Sequence, residues 1–249
     1  MLILLPPSES KHAPTRGKPL DLASLSYPAL SSHRRQLLDG LQELCRADAP
    51  TAIEALGLGP TQFDLVVQNS ALDRAPTATA TRVYTGVLYA ALDHASLAGQ
   101  DLRRANRRIV IVSALFGLLR ADDPVPAYRL SATSKLPGGP TLASRWRPLL
   151  EPALAELAAA ELVVDLRSGS YAALGRVPGA VGVDVIAERP DGRRSVVTHF
   201  NKAHKGRLAR ALASTRSEPD DAAAVAGVAR RAGMRVERDG AELTVIVPA

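Results

Sequence analysis

The sequence predicts an α/β fold, α+β mixed: one compact unit with a mixed sheet, β-hairpins and a helix-hairpin-helix element. Three observations carry this. Short apolar runs at Leu2–Leu5 and Ile109–Val112, with a similar LVVDL at Leu162–Leu166, have the character of strands buried on both faces. Between these runs apolar residues recur at helical spacing. Asp191-Gly192 and Asp239-Gly240 each lie between strand-like runs, as hairpin turns do. With 249 residues and 46% hydrophobic content, the chain can bury one large core, so a single domain over 1–249 is expected, with a helical subdomain at about 31–108.

In chain order, Leu2–Leu5 is a strand stopped by Pro6 and Pro7, which cannot donate to a ladder. Ser8 to Lys11 form a polar loop at its end, where Ser8 and Lys11 can hold an anion, although a solvated loop has the same composition. Leu37, Leu38, Leu41 and Leu44 mark a core-facing helix from Ser31 to Arg46 behind a Ser32 cap, with Arg34 and Arg35 at its start. A short helix at Thr51–Leu56, the sequence LGLGP, and a segment with Phe63, Leu65, Val66 and Val67 follow. Two helices joined by Gly-x-Gly have the pattern of a helix-hairpin-helix, in which Gly57 and Gly59 permit a tight turn and expose amides to a phosphate. A glycine C-cap followed by a proline-started helix looks the same.

Tyr84, Thr85 and Gly86 stand at the start of a helix carrying Val87, Leu88, Ala91 and Leu92, and Ser96 caps the next. That helix ends in Arg103, Arg104, Arg107 and Arg108, read as a solvated terminus complementing the helix dipole. The strand Ile109–Val112 then turns, and Arg120, Tyr128 and Arg129 are expected near its carboxyl end, with Asp122 and Asp123 ordering the arginines. Thr141 caps a helix with Trp146, and Pro152 starts another. Leu162–Leu166 and the polar Arg167–Tyr171 repeat the strand-to-loop arrangement. Val183–Ala187 and Ser195–Phe200 form a hairpin leading into HFNKAHKGRLARAL, where Asn201 is a good cap. Lys202 and Lys205 in the first turn oppose the helix dipole, a conflict that a bound anion would relieve. Gly206 admits a close neighbour. The tail reads as a helix and a hairpin.

Lysine and arginine outnumber aspartate and glutamate 31 to 25, giving a net charge of +6 and a pI near 9.8, a balance suited to a polyanion. A GC-rich genome enriches arginine too, so the hint is modest. A lone Cys45 excludes a disulfide framework or a cysteine metal cluster within one chain. His199 and His204, five apart, do not match a helical metal pair. No metal or cofactor is expected. The opening apolar run is too short for a signal peptide, no run approaches a membrane span, and a cytoplasmic protein without membrane contact is expected.

In this order, MLILLPPSESK, VYTGVLYAALD, VSALFGLLRADDPVPAYRL, LVVDLRSGSY and HFNKAHKGRLARAL together resemble the YaaA family, also called DUF328 or UPF0246, the peroxide stress proteins. The similarity spans Met1 to about Leu212. It implies a compact α/β unit with a basic cleft and a helix-hairpin-helix, binding DNA and protecting the cell during peroxide stress by limiting free iron. Carried onto this chain, the hairpin falls on Leu56–Pro60, and the basic cleft falls on Lys11, Arg120, Arg129, Lys202 and Lys205.

Two functions are therefore expected. One is sequence-independent binding of double-stranded or bubbled DNA in a peroxide and oxidative stress response. The other is an enzyme acting on an anionic small molecule or nucleotide in the same cleft. There Lys11, Lys202 and Lys205 would hold the anion, and Tyr84, Tyr128 or Ser8 would transfer protons.

Overall fold

All four residues of β1 (Leu2–Leu5) are fully buried, and each such side chain contributes about 1.5–3 kcal/mol through removal from water. The structure is a computed structural model describing residues 1–59, 61–196 and 201–248. The further strands are β2 (Ala78–Thr79), β3 (Ile109–Ser113), β4 (Gly117–Arg120), β5 (Pro124–Val125), β6 (Val163–Asp165), β7 (Val181–Glu188), β8 (Arg194–Val196), β9 (Arg235–Asp239) and β10 (Glu242–Pro248). The α-helices are α1 (Ser31–Ala47), α2 (Ala49–Leu56), α3 (Phe63–Asn69), α4 (Ala80–Val83), α5 (Val87–Leu92), α6 (Gly99–Arg108), α7 (Leu142–Ala160), α8 (Gly169–Ala172), α9 (Asn201–Ser214) and α10 (Ala222–Arg231).

Among the described residues, eight strands form one mixed sheet in the order β4-β3-β1-β6-β7-β10-β9, with β8 added to β7. Strands β3, β1, β6, β7 and β10 run parallel, while β4, β8 and β9 are antiparallel additions. The first and last strands of the chain thus belong to one sheet. Both expected hairpins form, β7–β8 and β9–β10; residues 197–200 of the longer hairpin strand, with His199, lie outside the described residues.

Helix α9 packs against α5, α6, β1 and β7. Gly206 makes this approach possible, because a Cβ there would meet the Leu88 carbonyl and stand 2.8 Å from the Ala91 side chain. The close neighbour is the backbone of α5.

Several local expectations are corrected. The caps expected at Ser32 and Ser96 are absent: Leu30 and Ala98 occupy the N-cap positions of α1 and α6 without side-chain hydrogen bonds. Thr141 does cap α7, accepting from the Ser144 amide at 3.2 Å. That helix continues through Pro148 and Pro152, held in register by Trp146, Leu150 and Leu154, a fully buried row four residues apart. The arginine-rich end of α6 is solvated only in part: Arg103 and Arg107 are exposed, and Arg108 is not. Arg108 is fully buried and donates to the carbonyls of Leu212, Thr215 and Ser217 at 2.7–2.8 Å. Among the described residues no helix is long and apolar enough to cross a membrane.

Candidate functional site

Leu4 of β1 pairs with Val110 of β3 on one side and Asp165 of β6 on the other. The chain leaves β1 for β3 and later crosses back to β6, so β1 marks a switch point, and crevices open at the carboxyl ends of strands there. The residues following these strands share one rim: Ser8–Lys11 after β1, Ser113 at the end of β3, and Arg167–Tyr171 after β6. Helix α9 starts against this rim, with Lys205 Nζ 3.4 Å from the Arg167 carbonyl. A cavity of about 310 Å³ opens here, walled by Pro6, Glu9, Ser168, Tyr171, Lys202 and Lys205 among others.

Lys11 reaches into the middle of the rim. Its backbone bridges to Tyr84, and its half-buried ammonium donates to the Ser8 carbonyl at 2.7 Å. Nζ also stands 4.2 Å from the Tyr128 ring centroid and 5.5 Å from that of Tyr84. Burial pushes its pKa down to about 7, with Glu9 opposing and Arg129 assisting. Ser8 Oγ accepts from the Thr85 amide at 2.9 Å, tying the β1 loop to the approach of α5.

Tyr84 and Tyr128 are buried and hydrogen-bonded to each other at 2.9 Å. Ser113 Oγ lies 2.7 Å from the Tyr128 hydroxyl and accepts from the Leu115 and Phe116 amides at 3.1 and 3.0 Å. Those amides occupy both lone pairs of Ser113, so its proton points to Tyr128. The Tyr128–Tyr84 pair extends this chain of hydroxyls, either of the two serving as donor. Burial pushes Tyr84 up to about 12 and Tyr128 well above the usual phenol range. Both stay protonated at neutral pH.

The other expected cleft residues divide. Arg129 joins the rim, pairing with Glu9, while Asn69 holds its backbone N–H and C=O at 2.8 and 2.7 Å. Lys202 is exposed on the cavity wall. Burial lowers the pKa of Lys205, against the opposing charges of Asp184 and Asp165.

Arg120 lies elsewhere. Residues 113–117 form a tight hairpin, so β4 runs back along β3 and Arg120 pairs with Val110 near its amino end. There its guanidinium lies 5.5 Å from the Tyr27 ring centroid and donates to the Arg107 carbonyl. Asp123 orders neither arginine side chain: it accepts from the Arg120 amide and from the amide and hydroxyl of Ser26.

Gly57 ends α2 in the left-handed region at φ 61°, the conformation a tight turn into the next helix requires. The Gly59 amide is already taken by the Gln62 side chain at 2.9 Å. A second cavity, of about 580 Å³, lies between this turn and residues 131–137, with Arg129 and Lys135 on its wall. Arg129 therefore links the turn to the rim.

Sequence reasoning missed Ser113 and the buried Arg167, whose guanidinium grips Asp165 through two bonds of 2.9 and 2.7 Å. The apolar text around Ser113 gave no signal. The Asp-x-Arg spacing at 165–167 was visible but is common.

A family model described as "Peroxide stress protein YaaA" matches residues 1–236, reaching past the last motif at Leu212. A UPF0246 protein of Corynebacterium efficiens is 47% identical over 241 residues, covering 95% of each chain. One from Streptomyces coelicolor is 43% identical over 241 residues, covering 96% of this chain and 93% of the relative. A third, from Shewanella loihica, is 29% identical over 223 residues and covers 84% of each.

Proposed function

The chain belongs to the peroxide stress protein YaaA family, and from that premise we propose that it acts in peroxide stress by binding DNA without sequence preference, protecting it from iron-mediated damage. The observation that supports this is the convergence of Arg129, Lys202 and Lys205 on one rim, flanked by the glycine turn at Gly57 and Gly59. Three cations and a pair of short helices joined by glycines suit a phosphate backbone, and none of them reads a base. In this role α2 and α3 act as a helix-hairpin-helix within the helical region at about 31–108. Its phosphate contact would require Gln62 to release the Gly59 amide. Lys11 adds charge only in its protonated form.

The test is a salt titration of binding to duplex and bubbled DNA. The expected outcome is binding at low salt, with log K falling against log salt at a slope of about −2 to −4 and little change between sequences. Absence of binding at low salt overturns the proposal.

The same cleft also suits a second function, an enzyme acting on a small anion or nucleotide. The observation favouring it is the cavity of about 310 Å³, a size that encloses a small molecule rather than a duplex.

A further inference from the structure

The chain contains five lysines against 26 arginines. Three of the five, Lys11, Lys202 and Lys205, gather at the carboxyl rim of β1 and β6. For gripping phosphate an arginine serves as well or better. An amine differs from a guanidinium in that it can lose its proton and become a nucleophile.

Lys11 has the surroundings for that. Its hydrogen bond goes to a carbonyl, which accepts from the neutral amine as well as from the ammonium. The neighbouring carboxylate of Glu9 is engaged by Arg129. Two aromatic rings cover the amine, and the chain of hydroxyls from Ser113 through Tyr128 ends at Tyr84, the residue paired with Lys11 across a backbone bridge. DNA binding uses none of this arrangement. The adjoining cavity shares the loop whose Ser8 carbonyl holds Nζ and carries Lys202 and Lys205 on its wall.

We infer that Lys11 is an amine nucleophile that forms a covalent imine with a small anionic carbonyl compound, with Tyr84 as the proton donor to the carbonyl oxygen. The Nζ lone pair forms the C–N bond, and the carbonyl π pair moves to oxygen, which takes the Tyr84 proton. The proton shed by Nζ restores the phenol, giving a neutral carbinolamine. Its hydroxyl then takes a proton from Tyr84 and departs as water while the nitrogen lone pair forms the C=N bond, and the remaining N–H proton returns to the phenolate, leaving a neutral imine with one water released and no change of oxidation state. Lys202 and Lys205 hold the anionic end.

The experiment treats the full chain with glyoxylate and cyanoborohydride and maps reduced adducts by peptide mass spectrometry across pH 5–10. The expected result is modification concentrated on Lys11, with a rate rising about a midpoint near 7. Lys11→Arg and Lys11→Met should lose that adduct while keeping the circular dichroism of the parent, and Tyr84→Phe should slow it by about a hundredfold. Modification spread over Lys18 and Lys135 as fast as over Lys11, or a Lys11 rate with the pH profile of an exposed lysine, overturns the inference. Because the readout is a covalent adduct, this result and the DNA titration fail independently.

Discussion

Among individual residues, burial sorts the basic side chains. Arg34 and Arg108 are fully buried and serve as scaffolding: Arg34 donates to the carbonyls of Ser26, Phe116 and Leu118 at 2.6–2.8 Å, closing the hairpin between β3 and β4 against α1. Arg108 does the same where α9 ends. Replacing Arg108 by Met would strip three carbonyls of their donor, an expected cost of about 3–5 kcal/mol in chemical denaturation; a loss below about 1 kcal/mol would contradict the assignment. Lys11 behaves differently. Its folded pKa of about 7 lies below the ordinary 10.5. Below pH 7 both folded and unfolded chains carry the proton, and the folded state bears the full cost of covering the charge. Between pH 7 and 10.5 the unfolded chain binds more protons, so this cost fades as pH rises. Lys11→Met should therefore raise the unfolding free energy most near pH 6, by on the order of 1 kcal/mol, and lose that advantage toward pH 10, as denaturation at each pH would measure. A gain independent of pH would contradict the burial of the charged amine.

At the scale of elements, the strands and the Asp-Gly turns were legible and the reversal after β3 was not. Leu2–Leu5 and Ile109–Val112 declare themselves because burial on both faces demands unbroken apolar text. The Asp-Gly turns do so because few residues tolerate their backbone. The hairpin at 113–117 carried no such mark in an apolar stretch, and it moved Arg120 from the carboxyl end of β3 to its amino end. The Lys11–Tyr84–Tyr128 cluster was legible only as three polar residues at element ends, since no local rule pairs residues 44 positions apart. Pro152 misled for a physical reason: a proline usually ends a helix, but the buried row from Trp146 to Leu154 spans it and keeps α7 whole. The α5–α9 contact supplies its own test. Gly206→Ala inserts a methyl group where the Leu88 carbonyl and Ala91 already sit, and should destabilise the chain by about 1–3 kcal/mol, measured by urea denaturation. An unchanged midpoint would show that the helices are not in contact there.

For the molecule as a whole, charge and topology combine. A net +6 spread at random would give weak, diffuse attraction to any polyanion. The switch point at β1 instead collects Arg129, Lys202 and Lys205 on one rim, and Arg129 carries that rim to the turn between α2 and α3. Arg34 and Arg108 are spent inside the fold, so the formal charge overstates what a partner meets. We propose that this rim contacts phosphates. The most direct test is the salt dependence of duplex binding for the parent chain and for the Lys202→Ala/Lys205→Ala variant, after circular dichroism has shown both folded. Loss of two phosphate contacts should weaken binding equally across sequences and make the slope shallower by about 2. An unchanged slope, with the double variant binding as tightly as the parent, would contradict the placement of the DNA-binding cleft.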